Sequence, residues 1–212
     1  MDALSDAQTV QTTWPPTTNH TEEAGSKVHS GFLLAYTAAK PHIEAALLDV
    51  RSNVTLHNYS LHFIGHSLGA AQAALAFVDF SLAISSSPPQ QSCYLVTFGA
   101  PRIGNLQFTR ILQRLSLGPS TSHSYFQRYS RIVHEADLIV HLPLSAPFNS
   151  YTHGNGHELW IKDSETGEKC QTVVKCRDDT EDMQCSAGVG PLRWNIYDHW
   201  VYPGMRLGIP QF

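Results

Sequence analysis

The segment Gly65-His66-Ser67-Leu68-Gly69 carries the residue types and spacing best suited to nucleophilic chemistry. An apolar run before it predicts a strand, and the alanine-rich run after it predicts a helix. A serine on so tight a strand-to-helix turn is lifted to a helix N-terminus, where backbone N–H groups favour developing negative charge. We expect glycine at both ends of the segment because side chains there would collide with the turn. Ser67 is the predicted nucleophile, and an ordinary glycine-rich turn is the alternative.

A nucleophilic serine needs a base, and the base needs an anion that holds its tautomer. On strand–serine–helix turns the expected chain order is serine, acid, histidine. Asp137 follows a predicted strand over 127–133 and is embedded in apolar sequence, which favours it as the acid. Glu135 is the rival acid, and we expect its side chain to face away from the site.

Several histidines follow the predicted acid and could serve as the base. His199 comes after a long loop within Tyr197-Asp198-His199-Trp200, and this position predicts a loop-borne base. His153 and His157 are separated by a glycine-containing turn, so a metal-binding pair is the weaker interpretation. His141 is the remaining candidate.

Composition limits the classes of protein to which the chain could belong. Its 212 residues are 42% hydrophobic and 15% charged, which indicates one globular domain with a sizeable core. A formal net charge of −4 without long basic runs argues against nucleic acid as a partner. No apolar stretch approaches the ~20 residues of a membrane span, and the N-terminal residues show no signal peptide pattern.

The hydrophobic pattern predicts alternating helices and strands over most of the chain. Residues 1–27 are polar and predict a loop, an arm or a remnant of a lid region, and 28–212 form the domain. A helical period begins at Val28, is interrupted by Pro41 and then resumes. Alternating strands and helices predict an α/β fold with a mostly parallel sheet, and the chemistry of such sheets collects at the carboxyl ends of the strands.

The four cysteines leave more than one interpretation open. Cys93 lies in an apolar strand, where a buried free thiol is expected. Cys176 and Cys185 bracket a short acidic loop, which would suit a disulfide or, less well, part of a zinc site. Cys170 has no assigned partner. Three N-x-S/T sequons, at Asn19, Asn53 and Asn58, fit a secreted protein.

From about Lys27 onward the chain resembles the fungal-type class 3 triacylglycerol lipases, a group that also contains fungal feruloyl esterases. The segments that carry the resemblance stand in the family's order: KVHSGF at 27–32, GHSLGA at 65–70, FGAPRIG at 98–104, DLIVHLP at 137–143, ELWI at 158–161, and Asp198-His199 with Tyr202.

The resemblance implies an α/β-hydrolase fold and a serine carboxylic-ester hydrolase of the lipase type. It implies a triad of Ser67, Asp137 and His199, the backbone N–H of Leu68 in the oxyanion hole, and a Cys176–Cys185 disulfide. The expected substrate is a lipid ester such as a triacylglycerol, including one at a lipid–water interface. The family further implies a secreted monomer that needs no metal and no organic cofactor.

The sequence also departs from the family's pattern. Family members begin with several strands, a Gly-Ser or Gly-Thr turn that supplies the first oxyanion donor, and a lid helix, and nothing before Trp14 resembles these elements. We therefore expect a sheet without its N-terminal strands, in which the strand that precedes Ser67 is an apolar edge. The insertion at 154–156 is a second departure. A truncated or catalytically impaired lipase-like fragment or pseudoenzyme, and a feruloyl-type esterase, are the alternatives.

Overall fold

The computed structural model describes residues 10–14, 24–52, 60–85, 92–117, 128–145, 150–153, 157–163, 172–177, 181–202 and 205–206. Its elements in chain order are β1 (Gln11–Thr13), β2 (Lys27–His29), α1 (Ser30–Ser52), β3 (Leu61–His66), α2 (Leu68–Ser85), β4 (Cys93–Phe98), β5 (Gly104–Asn105), α3 (Leu106–Leu117), β6 (Tyr129–His134), β7 (Tyr151–Thr152), β8 (Glu158–Lys162), β9 (Thr172–Lys175), α4 (Ile196–Trp200), β10 (Val201–Tyr202) and β11 (Met205–Arg206).

A five-stranded sheet forms the centre of the fold, in the order β3-β4-β6-β8-β9. The first four strands are parallel and β9 is antiparallel to β8, which confirms the predicted mostly parallel sheet. Parallel neighbours require crossover connections, and α2 and α3 supply the first two of them. The carboxyl ends of β3, β4 and β6 consequently meet at one edge of the sheet.

Helices pack on this sheet through small and apolar side chains. The buried alanines of α2, among them Ala70, Ala71 and Ala74, let the helix approach the strands closely. Helix α1 runs unbroken through Pro41, so the predicted interruption is wrong. Proline removes one backbone hydrogen bond, whereas Tyr36 anchors the helix in the core and its hydroxyl donates to Asp79 of α2. None of the described helices is both long and apolar enough to cross a membrane.

The polar N-terminal segment contributes a strand to the fold. Strand β1 pairs antiparallel with β2 in a second, four-stranded sheet, and Trp14 is only 3% exposed. The Trp14 ring packs against Tyr36 and Phe108, with centroids 6.2 and 5.9 Å away. The expectation of a loop or arm over 1–27 is therefore wrong for residues 11–14, because pairing with β2 satisfies their backbone and the core buries the indole.

Strand β3 is an edge of the central sheet as far as the structure describes the chain, with β4 as its one sheet neighbour. Its Ile64 side chain is 62% exposed. An apolar groove of about 350 Å³ runs beside the strand between α1 and α2, lined in part by Ile43, Leu47 and Phe63. Open edges with apolar side chains favour association between chains, as expected from the sequence.

We predict that Ile64→Thr reduces the binding of the dye ANS, because it removes exposed apolar surface, and that it does not destabilise the protein. Threonine keeps the β-branched shape suited to a strand, so the free energy of unfolding should change by less than about 0.5 kcal/mol. ANS fluorescence and light scattering would both fall. The matched control is Ile161→Thr on β8, where the side chain is 6% exposed and a buried hydroxyl should cost about 1–3 kcal/mol. Equal destabilisation by both changes would contradict the edge assignment.

The loop after β6 contains a 3₁₀ turn over Ile139–His141 that buries a histidine. The His141 ring stacks on Trp194, with centroids 4.4 Å apart and planes 12° from parallel. Its Nε2 is buried without a hydrogen-bond partner among the described residues. Burial, and next the positive charge of Arg102, lower the pKa of His141 from 6.5 to about 4. The ring is therefore neutral in the folded protein at neutral pH.

This neutral histidine predicts a loss of stability in weak acid. Below pH 6.5 the unfolded chain protonates His141, whereas the folded protein does so only near pH 4, so the free energy of unfolding falls as the pH drops through that window. His141→Phe keeps the stack on Trp194 and should make the fall shallower. Urea unfolding midpoints at pH 7, 6 and 5 measure it, with His42→Phe at an exposed site of α1 as control. A slope unchanged by His141→Phe would refute this origin.

Candidate active site

Ser67 occupies a strained turn between β3 and α2. Its φ of +58° lies in the left-handed region, which is uncommon for residues other than glycine and typical of functional turns. A Cβ at Gly65 would lie 2.2 Å from the carbonyl oxygen of Gly69, so only glycine fits at 65. The expected collision at 69 is wrong, because a Cβ at Gly69 would meet no atom within 4 Å. The tight contact is one-sided: the strand backbone must pass directly beneath the first turn of the helix.

Asp137 is fully buried just beyond the carboxyl end of β6. Its Oδ1 accepts the backbone N–H of Ile139 at 2.8 Å, and its Oδ2 accepts the Tyr202 hydroxyl at 2.7 Å. The Nδ1 of His199 lies 2.9 and 3.0 Å from the two carboxylate oxygens. These contacts orient the carboxylate toward the imidazole.

Glu135, the rival acid, is not brought to this histidine. It takes a positive φ of 40° in the turn after β6, and its Oε1 accepts the backbone N–H of Asp163. The turn, and not strand alternation, therefore directs its side chain away. Asp137 is the acid that the structure joins to His199.

His199 lies on the short helix α4 and is 2% exposed, so the base candidate is helical where a loop was predicted. The Asn195 side chain caps this helix by accepting the N–H of Tyr197. Asp198 fastens the helix to the residue before Asp137, because its Oδ2 accepts the N–H of Ala136 at 3.0 Å. Helix α4, which carries His199, is thus fixed directly to the chain beside Asp137.

His66 connects the serine turn to the histidine. Its ring packs on that of His199, with centroids 4.5 Å apart, and its Nε2 donates to the His199 carbonyl oxygen at 2.9 Å. Burial lowers the pKa of His66, which favours the neutral ring that makes these contacts. Ser67 follows His66 directly, so the nucleophile candidate is the chain neighbour of a ring that contacts the base candidate.

Two residues of the site had no role assigned from the sequence. Gly99, with a φ of +55°, passes so close that a Cβ would lie 2.8–2.9 Å from Asp137 Oδ2, His199 Nδ1 and the Tyr202 hydroxyl. Burial first, and then the Asp137 charge, raise the pKa of Tyr202 far above its usual value, which keeps the phenol a donor. A glycine directly after an apolar strand was the available signal for the first, and the tyrosine three residues after the base for the second.

Leu68, the predicted oxyanion donor, is the first residue of α2 and is 39% exposed. The first N–H groups of a helix have no intrahelical acceptor, which suits a donor beside Ser67.

The cysteine and histidine alternatives are settled by the contacts of these residues. Cys176 and Cys185 form a disulfide, so the predicted bridge is confirmed and their zinc interpretation is wrong. Cys93 is a buried free thiol, as predicted. His153 donates to the Val140 carbonyl, whereas His157 bonds Ser116, so each engages a separate partner. Cys170 and the three sequon asparagines, Asn19, Asn53 and Asn58, lie outside the described residues.

Comparison with known proteins gives a consistent result. The family model for lipase (class 3) matches residues 2–146. A lipase of Rhizomucor miehei is 30% identical over 209 residues, covering 97% of this chain and 49% of that protein. A secreted mono- and diacylglycerol lipase of Gibberella zeae is 25% identical over 167 residues, covering 79% of this chain and 38% of that protein.

A solved structure of a triacylglycerol lipase, described as having a serine protease triad at its catalytic centre, superposes with a TM-score of 0.72. It is 31% identical, and the match covers 94% of this chain and 65% of that one. The α/β-hydrolase fold predicted from the sequence is thereby confirmed. This chain spans about half the length, or less, of the curated relatives that it matches. The extent of the family match and the identity to the Rhizomucor lipase place the chain in the class 3 lipase family.

Proposed function

We propose that this protein is a serine carboxylic-ester hydrolase of the lipase type, acting through Ser67, His199 and Asp137. The observation that carries the proposal is the bond of His199 Nδ1 to a fully buried Asp137, beside a serine in a strained left-handed turn. Backbone strain is retained where the surroundings impose it, typically at catalytic sites. The alternative, an ordinary glycine-rich turn, does not account for the buried Asp137–His199 pair.

The reaction would follow from this geometry in two halves. The Ser67 oxygen attacks the ester carbonyl while His199 Nε2 takes its proton, and Asp137 stabilises the imidazolium through Nδ1. The alcohol leaves with the proton from His199, and an acyl-serine remains. Water then attacks the acyl group with His199 as base again, which releases the carboxylic acid and restores the serine. Each proton is returned, so the cycle needs neither metal nor organic cofactor.

Negative charge develops on the carbonyl oxygen in both halves of the reaction. The Leu68 N–H at the start of α2 would donate to it, helped by the positive end of the helix dipole. Removing one oxyanion donor typically costs about 10²–10³ in turnover, so a second donor matters greatly.

Lipid esters are the substrate class that the surroundings of the site favour. Leu68 directly follows Ser67, and Tyr197 and Trp200 lie within two residues of His199; they are 39%, 70% and 36% exposed. We infer that they supply apolar surface near the site. The relatives are a lipase and a secreted mono- and diacylglycerol lipase. We infer triacylglycerols or related lipid esters at a lipid–water interface, and an extracellular, monomeric enzyme whose disulfide suits oxidising surroundings.

The nucleophile can be tested with a fluorophosphonate probe, which labels an activated serine covalently. We expect the 212-residue chain to be labelled and Ser67→Ala to abolish labelling. The control is Ser150→Ala, at an exposed serine that bonds Gln11 far along the chain, and it should leave labelling unchanged. Strong labelling of Ser67→Ala would place the nucleophile elsewhere, and no labelling of the native chain would favour the catalytically impaired alternative.

The acid can be tested by comparing two carboxamide substitutions. Asp137→Asn should lower kcat/KM for ester hydrolysis by about 10²–10⁴-fold. The neutral asparagine side chain would neither hold the His199 imidazole in its working orientation nor stabilise the imidazolium. Glu135→Gln, two residues away, should change it by less than about threefold because its contact is with Asp163. Combining Asp137→Asn with Ser67→Ala should add little, since a triad acts as a unit. Equal losses from the two single variants would reject Asp137 as the acid.

The substrate class is tested by comparing kcat/KM of the native chain for feruloyl and acylglycerol esters. A preference for the feruloyl ester would contradict the lipid-ester assignment.

A further inference from the structure

We propose that Glu181 is a positioning residue for Asp137, acting through Arg102 on the loop that carries the acid. The inference rests on the proposed function only in its kinetic consequence; its structural part concerns the Asp137–His199 hydrogen bond itself. Glu181 touches none of the three triad residues. Its effect would be transmitted by hydrogen bonds to backbone carbonyls of the acid loop, which is residues 137–143.

Glu181 is the acceptor for four donors from two distant segments. Its Oε1 accepts Arg102 Nε at 3.0 Å, the Thr152 hydroxyl at 3.0 Å and the backbone N–H of His153 at 2.7 Å. Its Oε2 accepts Arg102 Nη2 at 2.8 Å. Burial alone would raise the pKa of Glu181, but the Arg102 hydrogen bond and the neighbouring positive charges lower it well below its ordinary value. The side chain is thus a charged, nearly saturated acceptor.

Arg102 passes this anchoring on to the acid loop. With its other end, Nη1, it donates to the carbonyl oxygens of His141 and Pro143, and its backbone N–H donates to Leu142 at 2.7 Å. The guanidinium is a planar fork, so the two bonds to Glu181 fix the direction in which Nη1 points. The carboxylate of Glu181 therefore sets the orientation of the Nη1 donor, which holds the carbonyl oxygens of His141 and Pro143 in the loop.

His153 supplies a second connection from the same carboxylate. Its backbone N–H is bonded to Glu181, and its ring Nε2 donates to the Val140 carbonyl at 2.7 Å. Arg102 and His153 together donate to four consecutive carbonyl oxygens of the loop, from 140 to 143. The loop begins at Asp137, whose Oδ1 accepts the N–H of Ile139. Ile139 is the first residue of the 3₁₀ turn, so this turn connects the Asp137 carboxylate to the carbonyl oxygens that Arg102 and His153 hold.

The disulfide explains how an acidic residue of a connecting loop can hold this position. Cys176 and Cys185 close a ring that contains Glu181, and the backbone of Cys176 is bonded to Glu158 of β8. A closed ring has fewer conformations to lose when it docks. Among the described residues, the side chain of neighbouring Asp182 bonds groups of the ring, namely the N–H groups of Arg177 and Gln184 and the Arg177 side chain. Asp182 is therefore a matched control with the same charge in the same ring.

The test compares Glu181→Gln with Asp182→Asn in the full 212-residue chain. Both remove one negative charge and keep the side-chain shape, but only the first breaks the fork with Arg102. We expect Glu181→Gln to lower kcat for a soluble ester about tenfold or more, with KM changed less than about twofold, because displaced catalytic groups cost rate more than binding. Asp182→Asn should leave both constants within about twofold of the native values.

The NMR resonance of the His199 Nδ1 proton, which reports its hydrogen bond to Asp137, gives a readout that needs no turnover. We expect it to shift or broaden in Glu181→Gln and to stay in place in Asp182→Asn. A protein that hydrolyses no ester but shows this pattern would refute the proposed function and support the positioning role. An unchanged resonance in Glu181→Gln, or a fall in kcat only in proportion to the fraction unfolded, would overturn the positioning role.

Discussion

The fully buried carboxylate of Asp137 is the constraint on which the rest of the site depends. A charge removed from water costs several kcal/mol unless its lone pairs are matched by donors. Asp137 receives them from three places: the N–H of Ile139 in its own loop, the Tyr202 hydroxyl of β10, and the ring of His199 on α4. The C-terminal segment must therefore fold onto the carboxyl end of β6 before the acid can be stable there. Folding of that segment and formation of the Asp137–His199 contact are therefore coupled.

Close approach of backbone is the second requirement of this arrangement. Gly99 brings the end of β4 against the acid, the base and the tyrosine, with no space for a Cβ. Gly65 lets β3 pass beneath the first turn of α2 in the same way. Both glycines lie at the carboxyl ends of neighbouring parallel strands, so two adjacent chain reversals converge where the chemistry is expected. A side chain at Gly99 would push against Asp137 and His199, and one at Gly65 would push the first turn of α2 away from β3.

The sequence predicted most of what local pattern controls and little of what distant contacts control. Ser67, Asp137 and His199 each stand beside a strand end or a capped turn, and those signals are local. The strand at 11–13 was missed because its residues are polar and its partner lies beyond a long connection. The clamp of Arg102 by Glu181 was likewise not predicted: Arg102 lies in the segment FGAPRIG at 98–104, but 79 positions separate it from Glu181 and no local pattern pairs the two. Helix α1 survives Pro41 because packing outweighs one lost hydrogen bond.

A second ion pair lies within the sheet and holds the glutamate that contacts the chain just after the disulfide-closed ring. Arg131 of β6 pairs with Glu158 of β8, both 3% exposed, and Glu158 Oε1 accepts the N–H of Ser186 just after the ring. Buried pairs add little net stability compared with apolar replacements, but breaking one costs about 3–5 kcal/mol. Such pairs therefore penalise every arrangement other than the one that satisfies them. We interpret the two pairs as restricting the ring to one position. In our proposal the loop of Asp137 is held from that ring through Glu181, so a fixed ring position matters more to the site than added stability.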